Sequence, residues 1–365
     1  MNIVRPTLLL NEAICKANIR RMAEKARRGN VLFRPHFKTH QSHTVGRWFR
    51  DEGVSKCTVS SIRMATYFAA DGWQDITVAF PLNHLEVQEI NRLAPSIQLN
   101  LCVVSAESLS MLLTKLQHPV VCMIEIDSGY RRTGVGPGET SQLDEIISVI
   151  ASSNLLKFGG FLTHAGQSYA CRAGTEILKV HQQTIQIMKK VGLRYRRDFP
   201  ELILSVGDTP TCSMAADFSD VNEIRPGNFV FYDIMQRGIG SCTNENIAMA
   251  MACPVVATYP SRKEIVVHGG GVHFSKDFIK YNDGAPVFGQ VVKLSNDGWE
   301  LPPTSMVIKS LSQEHGVLDV SAEELEKIKI GDLVGVLPVH SCMTADAMGE
   351  YYTLAGHRIG MMPKI

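Results

Sequence analysis

The sequence lacks the features that mark a membrane protein or a partner of nucleic acids. It contains no continuous apolar run near the roughly 20 residues needed to cross a bilayer, and its start, MNIVRP, does not resemble a signal peptide. Basic and acidic residues nearly balance, at 37 and 36, without a long run of either charge. These absences argue against a membrane or a polyanionic partner, and they predict a cytoplasmic protein that acts on a small molecule.

Paired cysteines are also missing. The nine cysteines are an odd number, lie scattered along the chain, and include no CxxC pair. We therefore expect reduced, mostly buried thiols rather than a disulfide framework.

What the chain does contain is a regular alternation of strand-like and helix-like segments. Asn11, after the apolar run Leu8 to Leu10, predicts a helix start, and the helical pattern continues from Glu12 to Arg28. Strand-like runs follow, with helix-like segments between them, at 31–33, 57–60, 75–80, 97–104, 120–126, 158–163, 202–206 and 221–224. Eight such strands over about 200 residues predict an α/β fold, a parallel (β/α)8 TIM-like barrel with catalytic groups at the carboxyl ends of its strands.

After Tyr232 the pattern changes to β-type runs separated by turn residues. These runs lie at 248–259, 264–268, 285–294, 304–311 and 333–338, and a helix-like segment occupies 322–327. We predict a barrel domain over residues 11–240 and a smaller, mainly antiparallel β-domain over residues 241–365, with residues 1–10 as candidates to pack on that β-domain.

Lys38 follows the first barrel strand in the segment RPHFKTHQS, between two histidines. A lysine amine becomes nucleophilic when it is desolvated or lies beside other cations, and it can then form a Schiff base with a substrate or with pyridoxal phosphate. On this segment alone, a solvated surface lysine is the more common explanation.

Two later strand ends carry groups that suit a phosphorylated ligand. Arg132, in IDSGYRRTGV, can bind a phosphate or phenolate oxygen. His164 and Tyr169, in THAGQSY, place an imidazole and a phenol at the next strand end. A salt-bridged loop and a core histidine are the structural alternatives.

The last two strand ends favour an anion. SVGDTPT places Ser205, Gly207 and Thr209 before a helix start, where unpaired N–H groups and the helix dipole favour phosphate. EIRPGN places Gly227 and Asn228 where backbone N–H groups can meet phosphate oxygens. An ordinary helix cap is the alternative for the first segment.

A third kind of site is indicated by PVHSC in the β-domain. On an extended strand, His340 and Cys342 would point to the same side and could bind one metal. Imidazole with thiolate favours zinc, and two protein ligands leave positions open for water or a substrate oxygen. A bare HxC is more often a buried cysteine beside an incidental histidine.

Taken together, the ordered segments RPHFKTH, IDSGYRRTGV, THAGQSY, SVGDTPT, EIRPGN, SQEHG and PVHSC resemble the metal-dependent D-threonine aldolase and D-serine dehydratase family over nearly the whole chain. The resemblance implies the alanine-racemase-like, fold-type III arrangement of a pyridoxal 5'-phosphate (PLP) barrel and a β-domain, as a homodimer. It further implies that Lys38 is the catalytic residue that holds PLP, and that Arg132, His164 and Tyr169 flank the ring. It implies that the phosphate is held by Ser205, Gly207, Thr209, Gly227 and Asn228, and that Arg225 stands where alanine racemases contact the pyridine nitrogen. It also implies that His340 and Cys342 bind a divalent metal, zinc in preference to manganese or magnesium. In GGGVHFSKD, His273 stands where relatives tend to have lysine, which bears on substrate choice.

The resemblance implies a D-β-hydroxy amino acid as substrate, and it leaves two reactions open. If Lys38 removes the Cα proton and the metal assists loss of hydroxide, a keto acid and ammonia result. If the β-hydroxyl proton is removed instead, an aldehyde and glycine result. Because Cys342 resembles the dehydratases, whereas the aldolases tend to carry Asp there, we expect a D-serine or 3-hydroxy-D-aspartate dehydratase, with D-threonine aldolase as the alternative.

Two other classes compete with a lyase. An amino-acid racemase would need a second base, for which Tyr281 is the only obvious candidate in the sequence. A non-catalytic PLP carrier would resemble small single-barrel proteins, and the long β-type region after residue 248 argues against it.

Overall fold

A computed structural model describes residues 2–280, 284–302 and 304–364. They divide into two compact units, residues 20–227 and residues 1–19 with 228–365. This division differs from the predicted boundaries, because the start of the first helix and residues 228–240 belong to the second unit. Within the described ranges, no helix is both long enough and apolar enough to cross a membrane.

Residues 20–227 contain the predicted parallel barrel. Its eight strands are β2 (Leu32–Phe33), β3 (Cys57–Val59), β4 (Asp75–Pro81), β5 (Gln98–Val103), β6 (Val120–Glu125), β7 (Leu156–Leu162), β8 (Ile203–Val206) and β9 (Glu223–Ile224). They pair in the order β2-β9-β8-β7-β6-β5-β4-β3, and an isolated parallel bridge between His36 and Thr58 joins the two ends. The barrel prediction is therefore confirmed.

One helix precedes these strands and the others connect them. They are α1 (Glu12–Arg28), which begins in the other unit, α2 (His43–Asp51), α3 (Ile62–Ala70), α4 (Val87–Leu93), α5 (Ala106–Leu113), α6 (Thr140–Ala151), α7 (Gly174–Tyr195) and α8 (Thr209–Met214). Short polar residues begin several of them: Asn11 accepts a hydrogen bond from the Ile14 N–H at 3.2 Å, as predicted, and Ser61 accepts one from Met64 at 3.2 Å. Each cap satisfies a first-turn N–H and so fixes where the chain turns from strand to helix.

An aromatic cluster holds the segment that carries Lys38. Phe37 is fully buried, and its ring centroid lies 5.1 Å from Phe49, 4.9 Å from Phe68 and 4.8 Å from Trp73. Truncating a buried phenylalanine typically costs about 3–5 kcal/mol. Packing of Phe37 therefore determines where Lys38, the next residue, leaves the barrel.

The second unit is mainly antiparallel β-structure. Its strands are β1 (Thr7–Leu10), β10 (Met249–Tyr259), β11 (Glu264–His268), β12 (Ile279–Lys280), β13 (Pro286–Val287), β14 (Gly289–Ser295), β15 (Gly298–Glu300), β16 (Val307–Leu311), β17 (His315–Asp319), β18 (Leu333–Pro338), β19 (Glu350–Thr353) and β20 (Arg358–Gly360). The main sheet runs β11-β17-β16-β14-β18-β10-β1-β19-β20, and an added β10–β11 pairing closes part of it into a barrel. β1 pairs with β10 and β19 of the same unit.

Short helices complete this unit: α9 (Ile234–Gly238), α10 (Gly271–Phe274), α11 (Ala322–Lys327) and α12 (Ser341–Met348). None of the nine cysteines, all of which lie in the described ranges, forms a disulfide; seven are buried, and Cys242 and Cys342 are partly exposed. The expectation that the cysteines are mostly buried is confirmed.

Candidate active site

Lys38 is exposed in the turn after β2, and the two histidines beside it have different environments. His40 is fully buried, with its ring 4.5 Å from Phe37 and 5.6 Å from Phe49, so it is a core residue. Burial lowers the pKa of His40 to about 3. His36 accepts a hydrogen bond at Nδ1 from the Lys38 N–H at 3.3 Å, and burial together with the Lys38 ammonium lowers the pKa of His36.

His164 is the point on which the predicted cofactor residues converge. Burial, together with the charges of Lys38, Arg132 and Arg225, lowers the pKa of His164 to about 3, against the hydrogen bond to Gly207. Nδ1 donates to the Gly207 carbonyl at 2.8 Å, so Nε2 of the neutral ring is an acceptor. The Tyr169 ring lies 6.2 Å away.

Tyr130, which sequence reasoning did not single out, contacts the His164 ring edge-on at 5.8 Å. The Arg132 guanidinium lies 5.3 Å from the centre of the Tyr130 ring. A Cβ on Gly166 would come within 2.4 Å of that ring, so glycine is needed there for the tyrosine to pack. The signal for Tyr130 is therefore the glycine in THAGQSY, read together with the tyrosine in IDSGYRRTGV.

The glycines predicted at the phosphate allow close backbone approach. A Cβ on Gly207 would lie 2.8 Å from Arg225, and one on Gly227 would lie 3.0 Å from His36. Next to Gly207, the Thr209 N–H donates to the Tyr169 hydroxyl at 3.5 Å. These contacts bring the ends of β2, β7, β8 and β9 together, as a cradle for a phosphorylated ligand requires.

Ser205 and Arg225 are both buried and bonded to each other. Arg225 donates from Nε to Ser205 Oγ at 2.7 Å and from Nη2 to the Thr163 carbonyl at 2.6 Å. Ser205 in turn donates to Glu223 Oε1 at 2.7 Å. Within the described part of the chain Nη1 of Arg225 has no hydrogen-bond partner, although the residue is 5 % exposed. A guanidinium N–H can only donate, so this nitrogen is available to an acceptor on a bound ligand.

The side chain of Asn228 lies with the predicted metal ligands of its own unit. Its Nδ2 donates to Asp233 at 2.6 Å, to Ser341 at 3.0 Å and to Cys342 Sγ at 3.6 Å. The amide is thus bonded to groups other than a phosphate.

The predicted placement of His340 and Cys342 on one face of a strand is wrong. β18 ends at Pro338, His340 is the N-cap of α12, and Cys342 lies in the first turn of that helix. The two residues are nevertheless neighbours, because a hydrogen bond from the ring to Cys342 contributes to the His340 pKa. A helix N-terminus favours a thiolate, since the helix dipole stabilises negative charge there.

Asp277 completes this group, and sequence reasoning did not assign it. Its carboxylate lies 3.0 Å from His340 Nδ1. Burial opposes a charge on the ring, but Asp277 and Cys342 outweigh it and raise the pKa of His340 to about 11. A carboxylate on Nδ1 leaves Nε2 for a metal, which is the usual outer-sphere arrangement of a histidine ligand, so the donors fit a divalent cation.

A different trio, His268, His273 and Glu314, is the one cluster of three metal-type side chains found among the described residues. The ring Nε2 atoms lie 3.4 Å and 3.7 Å from Glu314. However, the Gly270 N–H donates to His273 Nδ1 at 3.1 Å, which places the proton of the neutral ring on Nε2. His273 therefore faces Glu314 with a donor rather than a metal ligand.

Comparison with known proteins places these features in a family. Residues 248–354 match the model of the serine dehydratase domain. D-serine dehydratase of Dictyostelium discoideum is 28% identical over 97% of this chain and 94% of its own length. D-threonine aldolase of Arthrobacter sp is 23% identical over 62% of this chain and 61% of its own length.

D-threo-3-hydroxyaspartate dehydratase of Delftia sp. (strain HT23) is 29% identical over 96% of this chain and 94% of its own length. Its solved structure covers 100% of this chain and 99% of its own, with a TM-score of 0.91. Solved structures also exist for variants of that enzyme in which a cysteine, or a histidine two positions before it, is replaced by alanine; the cysteine variant is described as the metal-free form. Since the model of the alanine racemase N-terminal domain matches residues 11–234, this chain belongs to the alanine racemase N-terminal domain family.

Proposed function

We propose that this protein is a PLP- and divalent-metal-dependent dehydratase of D-β-hydroxy amino acids, of the D-serine or 3-hydroxy-D-aspartate type, which releases a keto acid and ammonia. The observation that carries the proposal is the group formed by Asp277, His340 and Cys342. It has the composition of a metal site, and its histidine and cysteine have the spacing of the two positions replaced in the Delftia variants. The two full-length relatives named above, both dehydratases, support the same reaction.

The barrel residues fit PLP, which withdraws electrons from Cα of a bound amino acid. Lys38 would hold the cofactor, and its exposed side chain is able to reach it. His164 and Tyr169 would flank the ring, Gly207, Thr209 and Gly227 would surround the phosphate, and Arg225 Nη1 would donate to the cofactor. The contributions of Arg132, Ser205 and Asn228 stay predictions.

Proton transfer at Cα falls to Lys38. With a pKa of about 3, His164 is neutral near pH 7, and its Nε2 is too weak a base to hold a proton taken from Cα. The amine of Lys38, whose charge lowers the pKa of His164, is the stronger base, so Lys38 Nζ would take the Cα proton as hydroxide leaves Cβ.

A divalent metal on His340 and Cys342 would supply a Lewis acid that stabilises the departing hydroxide. Nitrogen and sulfur donors favour zinc over manganese or magnesium. Asp277 would fix the ring so that Nε2 faces the metal. The predicted homodimer and cytoplasmic location stay predictions.

Retro-aldol cleavage is the second candidate, and it is favoured only by the partial match to the Arthrobacter aldolase. It needs the β-hydroxyl proton, rather than the Cα proton, to be removed. Cys342 supports dehydration, since the aldolases tend to carry Asp at that place. For a racemase, the candidate second base Tyr281 lies outside the described residues.

The test is a product assay of the holoenzyme on D-serine, D-threonine and D-threo-3-hydroxyaspartate. We expect keto acid and ammonia in equal amounts, and no turnover by Lys38→Ala, which removes the base and the cofactor attachment. Lys157→Ala, which removes an exposed lysine of β7, is the matched control. Glycine and aldehyde would assign an aldolase, and the opposite enantiomer would assign a racemase.

A further inference from the structure

Three adjacent barrel strands place a buried series of hydrogen-bonded polar side chains next to Arg225. Ser205 of β8 is paired in register with Glu223 of β9, and Arg34 follows β2 on the other side of β9. Glu223 and Arg225 are two residues apart, so both side chains point to the same face of the strand. These contacts thus lie on one face of β9, among buried side chains.

The hydrogen bonds in this series can run in only one direction. Arginine can only donate and a carboxylate can only accept, so Ser205 accepts from Arg225 and gives its single proton to Glu223, each at 2.7 Å. The other oxygen of Glu223 accepts from Arg34 Nε at 2.7 Å, and both of these side chains are 3% exposed. Arg34 Nη1 in turn binds Asp75 at 2.6 Å.

This series of hydrogen bonds fixes the plane and the charge of the Arg225 guanidinium. Its Nε is bound by Ser205 and its Nη2 by the Thr163 carbonyl, so the planar group cannot rotate without breaking both bonds. Burial lowers the pKa of Arg225, and the negative charge of Glu223 is the largest influence in the opposite direction. What remains is Nη1, a donor held in one direction at the carboxyl end of β9.

Resting on the function proposed above, and taking from the resemblance to alanine racemases that Arg225 meets the pyridine nitrogen of PLP, we propose that Ser205 and Glu223 are the positioning residues that hold Nη1 in that direction. A donor that is always charged keeps that nitrogen unprotonated and in place as an acceptor. Ser205 thereby acts through Arg225, rather than as a phosphate ligand.

The test compares PLP with its 1-deaza analogue, in which a C–H group replaces the pyridine nitrogen. We would measure the dissociation constant of each cofactor for the apoenzyme by equilibrium dialysis. The wild-type chain should prefer PLP by at least about tenfold, as expected for a hydrogen bond from a charged donor. In Ser205→Ala the ratio of the two dissociation constants should fall close to one. Ser205→Thr, which keeps the hydroxyl, should restore the wild-type ratio.

Tyr195→Phe is the matched control, because it removes a 2.7 Å hydroxyl–carboxylate bond to Asp144 on the outer helices. It should leave the preference unchanged. If Ser205→Ala weakens both cofactors equally, Ser205 is merely structural and the proposal fails.

A wild-type preference near one would also overturn the proposal, since Nη1 would then face another group such as the phosphate. Should Ser205→Ala not fold, Glu223→Gln is read in the same way. The proposed function fails separately, if the wild-type chain forms no imine between PLP and Lys38.

Discussion

Asp277 and His340 meet across 63 residues of sequence. Because the carboxylate fixes the ring through Nδ1, Asp277→Asn should lower metal affinity by about 10–100-fold while both proposed ligands remain. Metal content and the metal dissociation constant would measure this. Asp319→Asn, at an exposed position of β17, is the control and should change neither. Unchanged affinity in Asp277→Asn would mean that the carboxylate does not orient a ligand.

At the scale of elements, the turn from β8 into α8 depends on a glycine. Gly207→Ala would place a Cβ 2.8 Å from Arg225, so the turn must shift and PLP affinity should fall at least about tenfold. Gly138→Ala is the matched control, because a Cβ there meets nothing within 4 Å. Cofactor titration by absorbance would compare the two variants. Equal affinities would show that the turn does not contact the cofactor.

Several elements were predictable from sequence because their signals are local. Two helices have the bounds predicted for them: Glu12–Arg28 and Ala322–Lys327. For the first, the Asn11 cap was a visible signal, and its side chain does accept a hydrogen bond from the Ile14 N–H. Helix Ser341–Met348 was missed, because small and apolar residues, rather than a periodic pattern, continue the preceding strand.

The site shows the same limit. Lys38, His164 and Arg225 follow strands whose order was clear, so their meeting at one end of the barrel could be predicted. Glu223 and Asp277 could not be assigned, since their partners depend on which residues face each other across paired strands or distant loops. Sequence spacing alone does not contain that register.

At the scale of the whole molecule, buried ion pairs should make the stability of the barrel sensitive to acid. Burial raises the pKa of Asp75, but hydrogen bonding and charge from Arg34 outweigh this and leave it below its ordinary value of 3.8. A lowered pKa means that the carboxylate stabilises the fold above pH 3.8, and that this contribution is lost as pH falls through the folded value. Asp75→Asn should lower the free energy of unfolding by about 2–4 kcal/mol near neutral pH. The loss is smaller than for an ion pair that is broken completely, because Arg34 keeps its contact with Glu223.

Urea unfolding would measure this change. The difference in the free energy of unfolding between the variant and the wild type should become smaller as the pH falls from about 7 to about 3. Asp198→Asn, in an exposed pair with Arg197, is the control and should match wild type throughout. A constant difference across that range would show that the charge of Asp75 is not the cause.

The division of the chain into two units allows the two proposed cofactors to be separated experimentally. Lys38 lies in residues 20–227, whereas His340 and Cys342 lie in the unit formed by residues 1–19 and 228–365. Removing the metal should therefore leave the imine absorbance of PLP intact and abolish keto acid formation. Cys342→Ala should lower the metal affinity by more than the roughly 10–100-fold expected when an outer-sphere partner is removed, because it removes the only anionic ligand. Cys242→Ala, at the other partly exposed thiol of the same unit, should keep both metal and turnover. If enzyme shown by elemental analysis to be metal-free still dehydrates D-serine at the untreated rate, the metal has no part in the reaction.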